Sequence, residues 1–223
     1  MPYFLLSEPL EANREYTVTG EEAHHMVQVR RVKVGESIIL QGSNEARFRV
    51  QVLSVSRHSL TVQAIERLSV PPEPLFPITL YQALTAEQPL DYILQKSTEL
   101  GVARVVLFHS AYSPHRLDGQ RLIKKIERWG KILQEAAKQS ERVRPPELQW
   151  QNDFEGALEA TKEQAVLVLD ETGTETFSTF AKKQKSIPSL TLLVGPEGGF
   201  SKDELAQLRA LQNVEIIKMG PRV

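Results

Sequence analysis

The 223 residues contain no cysteine, which excludes disulfides, thiolate metal sites and thiol nucleophiles. Net charge is −1, so overall charge expresses no preference for a polyanionic partner. No run reaches the ~18 apolar residues of a membrane span, and MPYFLLSEPLEANRE lacks the basic start of a secretory leader. The expectation is a soluble, cytoplasmic globular protein.

Residues 1–70 read as a β-rich module. Ala46–Ser56 (ARFRVQVLSVS) and Ser59–Leu68 (SLTVQAIERL) alternate apolar and polar residues with the period of half-buried strands. Glu36–Gln41 is a third strand, bounded by Gly35 and by Gly42-Ser43-Asn44. One helix interrupts them, Glu21–Arg31, with a capping box expected from Thr19 and Glu22. Residues 71–77 hold four prolines, which neither a helix nor a central strand tolerates, so they form a stiff linker.

From residue 78 onward, strands and helices alternate. Apolar strands are predicted over Ile78–Leu84, Ala103–Ser110, around Leu148, over Ala165–Asp170, Leu190–Val194 and Val214–Met219. Helices are predicted over Leu90–Leu100, Asp118–Gln139, Phe154–Thr161 and Phe177–Lys185. Pro89 stands at the start of the first of these and Gly101 just past its end. The second carries Leu122, Ile126, Trp129, Leu133 and Ala137 on one face. Near-continuous apolar strands between helices imply a parallel sheet covered on both faces, hence an α/β domain over 78–223.

The densest signal is Ser189–Leu205, SLTLLVGPEGGFSKDEL. A buried strand leads into Gly195-Pro196-Glu197-Gly198-Gly199 and then into a helix start. Ser201 and Glu204 have the spacing of a capping box, and Phe200 and Leu205 that of a hydrophobic staple. Adjacent glycines allow backbone conformations closed to other residues and let a ligand approach the main chain. Strand, glycine turn and helix N-terminus together form a common ligand position in α/β proteins. Phosphate motifs fail here: a P-loop needs glycine at position 200, where Phe200 stands, and a dinucleotide fingerprint needs it at 197, where Glu197 stands. A carboxylate in the turn suits a ligand that is neutral or cationic nearby. Ser201 lacks a nucleophile elbow, and its role is capping.

No metal motif is present; His24 and His25 are adjacent rather than one helical turn apart. His109, near Tyr112 and Arg116, fits a surface position or an RNA contact. Lys96 and Glu99 fit an ordinary ion pair. Charge is unevenly distributed: residues 115–144 carry nine Lys/Arg against four acids, and residues 145–223 carry eight against twelve. The first stretch has the look of a basic footprint, or equally of a solvated helix face with internal charge pairs.

LLVGPEGGFSKDE, followed about twenty residues on by MGPRV, resembles the RsmE family of SPOUT methyltransferases. HHMVQVRRVKVGE, LQKSTELGV and QEAAKQSERVRPPE resemble the family's remaining motifs, in the same order. The resemblance implies an N-terminal PUA-like β-barrel that binds RNA and a C-terminal SPOUT α/β-knot, a trefoil-knotted parallel sheet. It implies methylation of N3 of a specific uridine in 16S rRNA of the small ribosomal subunit, with S-adenosyl-L-methionine as methyl donor, by a homodimer without metal. The cofactor site it implies comprises Leu169, Asp170, Leu193, Val194, Gly195, Pro196, Glu197, Gly198, Gly199, Met219, Gly220 and Pro221, with Leu193 and Met219 as apolar wall. Catalytic roles fall on Arg142 and Arg222. His25, Arg30, Arg31, Lys124, Lys125 and Arg128 are expected to contact RNA phosphates.

Three departures stand out. Tyr3 and Glu141 occupy positions where many members have Arg and Gly. The family motif also continues past Pro-Arg-Val, whereas this sequence ends at Val223. The end of the domain is therefore expected to be missing, with weak cofactor binding as the consequence. The alternative is a non-catalytic RNA-binding or ribosome-assembly protein that keeps the barrel and a degenerate knot.

Overall fold

A computed structural model of the chain describes residues 3–114, 116–161, 165–183 and 188–220. They divide into two compact units, one within residues 1–73 and 137–144, the other within 74–136 and 145–223.

The first unit is a curled five-stranded sheet. Its strands are β1 (Phe4–Leu5), β2 (Glu15–Val18), β3 (Ser37–Gln41), β4 (Arg47–Val55) and β5 (Leu60–Leu68), in the order β1-β3-β4-β5-β2. β1 lies parallel to β3, and the remaining pairings are antiparallel. Register shifts in the β4–β5 ladder between Arg49 and Val50, and between Val52 and Ser54, add the local twist that bends a sheet around its own core. That core holds Phe4, Leu40, Phe48, Val50 and Val62. β3 to β5 follow the alternation of the sequence, while β1 and β2 are too short to show a period.

The helix predicted over Glu21–Arg31 is two pieces, α1 (Gly20–His24) and one turn of π-helix over His25–Val29. The π turn is closed by the Arg30 N–H donating to the His25 carbonyl at 3.0 Å. The expected capping box does not form. Thr19 is the N-cap residue but its side chain accepts no hydrogen bond, and Glu22 reaches Lys138 Nζ at 2.6 Å instead.

A polar seam holds residues 137–144 in this unit. Arg47, 4% exposed, places its guanidinium 4.0 Å from the centre of the Tyr3 ring. The same group donates to Gln41 Oε1 at 2.8 Å and to the carbonyls of Glu141 and Arg142 at 3.3 Å. Tyr3 donates its hydroxyl to the Arg142 carbonyl at 2.6 Å, and Gln41 Nε2 donates to Val143 O at 2.5 Å. Burial pushes the Tyr3 phenol pKa up, so the hydroxyl stays a donor. Tyr3 therefore serves this seam rather than the surface.

The second unit is a seven-stranded sheet with helices on both faces. In chain order it contains β6 (Ile78–Ala83), α2 (Glu87–Glu99), β7 (Arg104–Phe108), α3 (Gly119–Gln139), β8 (Glu147–Gln151), α4 (Phe154–Glu159), β9 (Val166–Leu169), β10 (Glu175–Thr176), α5 (Phe177–Lys183), β11 (Leu190–Val194), α6 (Lys202–Arg209) and β12 (Val214–Lys218). The strand order is β10-β12-β9-β11-β6-β7-β8, parallel throughout. Alternate strand residues face opposite layers. Tyr81, Val106, Val168 and Leu193 pack with Phe154 of α4 and Leu205 and Leu208 of α6. Leu80, Val105 and Leu107 pack with Leu90 and Leu94 of α2 and Trp129 and Leu133 of α3. The last turn of α3, from Ala137, belongs to the first unit.

α2 and α3 end in the same way, with paired 6→1 and 5→2 hydrogen bonds around a left-handed residue. After α2 these are Val102 N to Ser97 O and Gly101 N to Thr98 O, with Gly101 at φ +92°. After α3 they are Arg142 N to Ala137 O and Glu141 N to Lys138 O, with Glu141 at φ +58°. A side chain at that φ costs about 1 kcal/mol, a strain that glycine would avoid. Glu141→Gly is expected to raise the urea midpoint, by about 1 kcal/mol of stability at unchanged m-value.

Candidate functional site

Three loops leave the same edge of the parallel sheet. In register, Leu169 of β9 lies opposite Val194 of β11 on one side and Ile217 of β12 on the other. The residues that follow, Asp170, Gly195–Gly199 and Met219–Gly220, therefore emerge side by side at the carboxyl ends of neighbouring strands, where open α/β sheets hold ligands. This juxtaposition unites three segments that lie far apart in the sequence.

Each loop is pinned. The Asp170 N–H donates to Ile217 O at 3.1 Å, and Asp170 Oδ1 accepts the Thr172 N–H at 2.9 Å. Gly173 runs so close to β12 that an added Cβ would lie 2.5 Å from the Ile217 carbonyl carbon, so only glycine fits. Gln82, 2% exposed on β6, donates Nε2 to Gly195 O at 3.2 Å and to its neighbour Ala83 O at 2.9 Å. The Gly199 N–H closes the turn onto Pro196 O at 2.9 Å with φ +70°. A Cβ at Gly195 would lie 3.1 Å from Gly199 C, and one at Gly198 would lie 3.4 Å from Tyr112 Cβ. The turn is thus folded tightly on itself beneath Tyr112, and what it offers a ligand is main chain.

Glu197 has a protein partner. Its Oε1 accepts the Ala86 N–H at 3.0 Å, at the N-terminus of α2, where free amides and the helix dipole favour an anion. The carboxylate read from sequence as setting the ligand's charge thus also anchors the turn to the β6–α2 loop. Leu193 is 1% exposed and packs in the core, so its side chain offers a ligand no surface; Leu169 and Val194 are half-buried and Met219 is 57% exposed. Pro221 and Arg222 lie outside the described residues.

α6 starts as its sequence predicts. Ser201 Oγ accepts the Glu204 N–H at 3.2 Å, Glu204 Oε2 accepts the Ser201 N–H at 2.8 Å, and Phe200 and Leu205 share one apolar cluster. Glu204 does more than cap. Only 5% exposed, it also accepts the Ser110 hydroxyl at 2.9 Å and the Ala111 N–H at 2.9 Å. It therefore ties the segment after β7, and with it Tyr112, to the glycine turn. No local pattern signals this second role, because Ser110 is 94 residues away. His109 is buried beside this segment at 6% exposure, so it is not a surface residue. Its Nε2 accepts the Leu117 N–H at 2.9 Å, and burial, helped by Arg116, holds its pKa below the usual value.

The remaining sequence candidates are placed elsewhere. Arg142, 9% exposed, grips Glu73 with Nη2···Oε2 at 2.7 Å and Nε···Oε2 at 3.1 Å, all within the first unit. His25 and Arg30 gather around Phe4, His25 edge-on at 5.6 Å and the Arg30 guanidinium at 5.8 Å, while Arg31 sits exposed at φ +53°. Lys124 is exposed. Lys125 pairs with Glu87 at 2.8 Å, and Arg128 pairs with Glu87 at 3.1 Å and with Asp91 at 2.9 Å. Two of the nine cations of the basic stretch are thereby paired with α2. Among the described residues no cluster of acids and histidines could hold a metal ion, and no helix is long and apolar enough to cross a membrane.

Comparison with known proteins decides the family. Residues 71–223 match the RNA methyltransferase domain family, and residues 18–65 match the RNA methyltransferase PUA domain. The ribosomal RNA small subunit methyltransferase E of Bacillus subtilis is 32% identical over 98% of this chain and 88% of its own length. That of Mycobacterium tuberculosis is 34% identical over 92% of this chain and 79% of its own. The chain belongs to the RsmE family. The RsmE crystal structure from Neisseria gonorrhoeae bound to S-adenosyl methionine superposes with a TM-score of 0.88 at 25% identity, covering 100% of this chain and 90% of that one. A methyltransferase from Legionella pneumophila, in complex with the same cofactor, gives 0.87 at 25% identity, covering 99% and 90%. The fold is accordingly the SPOUT-type α/β domain with a PUA-like β unit.

Two substitutions test the anchoring described above. Glu204→Gln replaces an acceptor-only group with one that leaves an amide unmatched, and is expected to cost about 2 kcal/mol in urea unfolding. Arg142→Ala strands Glu73 in a half-buried position and is expected to cost about 2–3 kcal/mol. An unchanged urea midpoint for either variant would assign its ion or cap no structural weight.

Proposed function

We propose that this chain is an S-adenosyl-L-methionine-dependent methyltransferase acting on N3 of a uridine in 16S rRNA of the small ribosomal subunit. The observation that carries the reading is the gathering of Leu169–Asp170, Gly195–Gly199 and Met219–Gly220 at one sheet edge. The residues fit the cofactor. Folded turns present backbone N–H and C=O groups suited to the edge of an adenine, and Leu169, Val194 and Met219 supply partly exposed apolar surface beside them. Glu197 and Asp170 would add carboxylates to these loops, a charge that suits a cationic sulfonium.

When bound, the cofactor supplies an electrophilic methyl group. What the chain must supply is position and a nucleophile in the right protonation state. Uridine N3 carries a proton and lies in the pairing edge, so the base has to leave its stack and the proton has to be removed or weakened. Arg222 is the motif cation proposed for that task. Arg142, tied to Glu73, serves the reading as a positioning residue for the first unit. Phosphate contacts are assigned to His25, Arg30 and Arg31 around the π turn, with Lys124 and the paired Lys125 and Arg128 on α3. A homodimer in the bacterial cytoplasm, where ribosomes are assembled, completes the proposal.

The test is calorimetry with S-adenosyl-L-methionine on the full chain, coupled to transfer of a labelled methyl group to small-subunit rRNA. Saturable binding and label at a single uridine N3 are expected. Gly199→Ala, which forces a side chain into φ +70°, is expected to weaken cofactor binding about tenfold. Absence of both heat and label in the unaltered chain would overturn the reading.

A further inference from the structure

The carboxylate of Asp170 is held by one oxygen and open at the other. Its Oδ1 accepts the Thr172 N–H at 2.9 Å and the Thr172 hydroxyl at 2.5 Å. That hydroxyl, having donated to Asp170, accepts Arg209 Nη2 from the last turn of α6 at 2.8 Å. Arg209, Thr172 and Asp170 thus form a chain with one direction of donation, from a guanidinium to a carboxylate oxygen. Oδ2 takes no hydrogen bond among the described residues, and it is the oxygen turned toward the glycine turn. A Cβ built on Gly199 would lie 4.0 Å from Oδ2 and, its own chain neighbours aside, would meet no other atom that close. The space beside Gly199 is therefore open, and its nearest wall is an acceptor.

We propose that Asp170 Oδ2 accepts a ribose hydroxyl of S-adenosyl-L-methionine, and that Thr172 and Arg209 are positioning residues that hold the carboxylate at the required angle. The proposal rests on the methyltransferase reading for the identity of the ligand. An aspartate that serves only its own turn needs no more than Oδ1. A second oxygen, fixed in direction and lacking a donor, calls for an O–H or N–H from outside the chain. The sulfonium cannot meet that call, because it carries no hydrogen on a heteroatom. Placement narrows the donor further. Asp170 follows β9, and the glycine turn follows β11, its neighbour in the sheet. An acidic residue at the carboxyl end of a strand near a glycine turn is the arrangement by which dinucleotide-binding sheets select a ribose hydroxyl. The glycines admit a ligand against main chain, and the acceptor beside them selects a hydroxylated sugar.

Calorimetry on the full chain with two ligands tests this. 5′-Methylthioadenosine keeps the adenine and ribose and lacks the amino acid, whereas S-adenosyl-L-homocysteine has all three. Asp170→Asn keeps an acceptor for the Thr172 turn and aims an amide N–H where Oδ2 stood. It is expected to weaken both ligands about tenfold. Weakening of S-adenosyl-L-homocysteine alone would put the amino-acid ammonium at Asp170 and overturn the ribose assignment. Undiminished binding of both would reduce Asp170 to a turn former and overturn the proposal. Thr172→Val removes the hydroxyl, and is expected to weaken both ligands about three- to fivefold, with Thr172→Ser restoring them. Arg209→Met keeps the apolar stem and is expected to cost about twofold. In the Asp170→Asn background the Thr172→Val loss is expected to vanish, since the hydroxyl acts through the carboxylate. Additive losses would overturn the positioning role. An unaltered chain that binds neither ligand would refute the methyltransferase reading and the subsite together, whereas normal binding by both the unaltered chain and Asp170→Asn would refute the subsite alone.

Discussion

The site depends on the register of one strand. β9 is hydrogen-bonded on both sides, so Leu169 is held level with Val194 and with Ile217. A parallel ladder brings every carboxyl end to the same edge, and side-chain alternation forbids a one-residue slip without turning the core face of β9 into the opposite layer. Val166 and Val168 face α4 and α6, and Leu167 faces the layer containing Phe180. Burial on both faces is therefore what sets the height of the three loops, and the loops inherit their neighbourhood from it.

A smaller set of polar contacts converts neighbourhood into geometry. Gln82 holds the start of the glycine turn, Glu197 anchors its middle to the β6–α2 loop, and Glu204 ties its end to Ser110 and Ala111. Each joins a residue of the β11–α6 region to a segment distant in the sequence. Gln82 and Glu204 are buried and Glu197 is exposed, so the loss of a partner costs most at the first two. These contacts also link the turn to both of its flanks: Tyr112 over Gly198 on one side, and a cavity beside Trp129 on the other.

The first unit is organised by a different device. Arg47, on the face of β4 opposite the core residues Phe48, Val50 and Val52, is buried because Tyr3, Gln41 and the carbonyls after α3 surround it. Residues 137–144 fold with this unit through those contacts and through Arg142–Glu73. Glu141 takes the left-handed position that the helix end demands, with the strain that glycine would avoid.

Local chemistry was legible in the sequence wherever its determinants are neighbours. The period of two in β4 and β5, the apolar strands of the parallel sheet, the capping box at Ser201, the staple of Phe200 and Leu205, and the glycine stop at Gly101 are all consequences of residues a few positions apart. Tertiary structure alone decided what those pieces met. Glu22 abandoned its expected cap for Lys138, and α1 ended in a π turn. Lys125 and Arg128, expected from the sequence to contact phosphates, also acquired partners in Glu87 and Asp91. Glu204 acquired Ser110, His109 went inside, and the Trp129 N–H was buried without a partner among the described residues. The physical reason is the same in each case. Charge pairing and burial are settled by which element packs beside which, and a one-dimensional pattern carries that only when the partners are close along the chain.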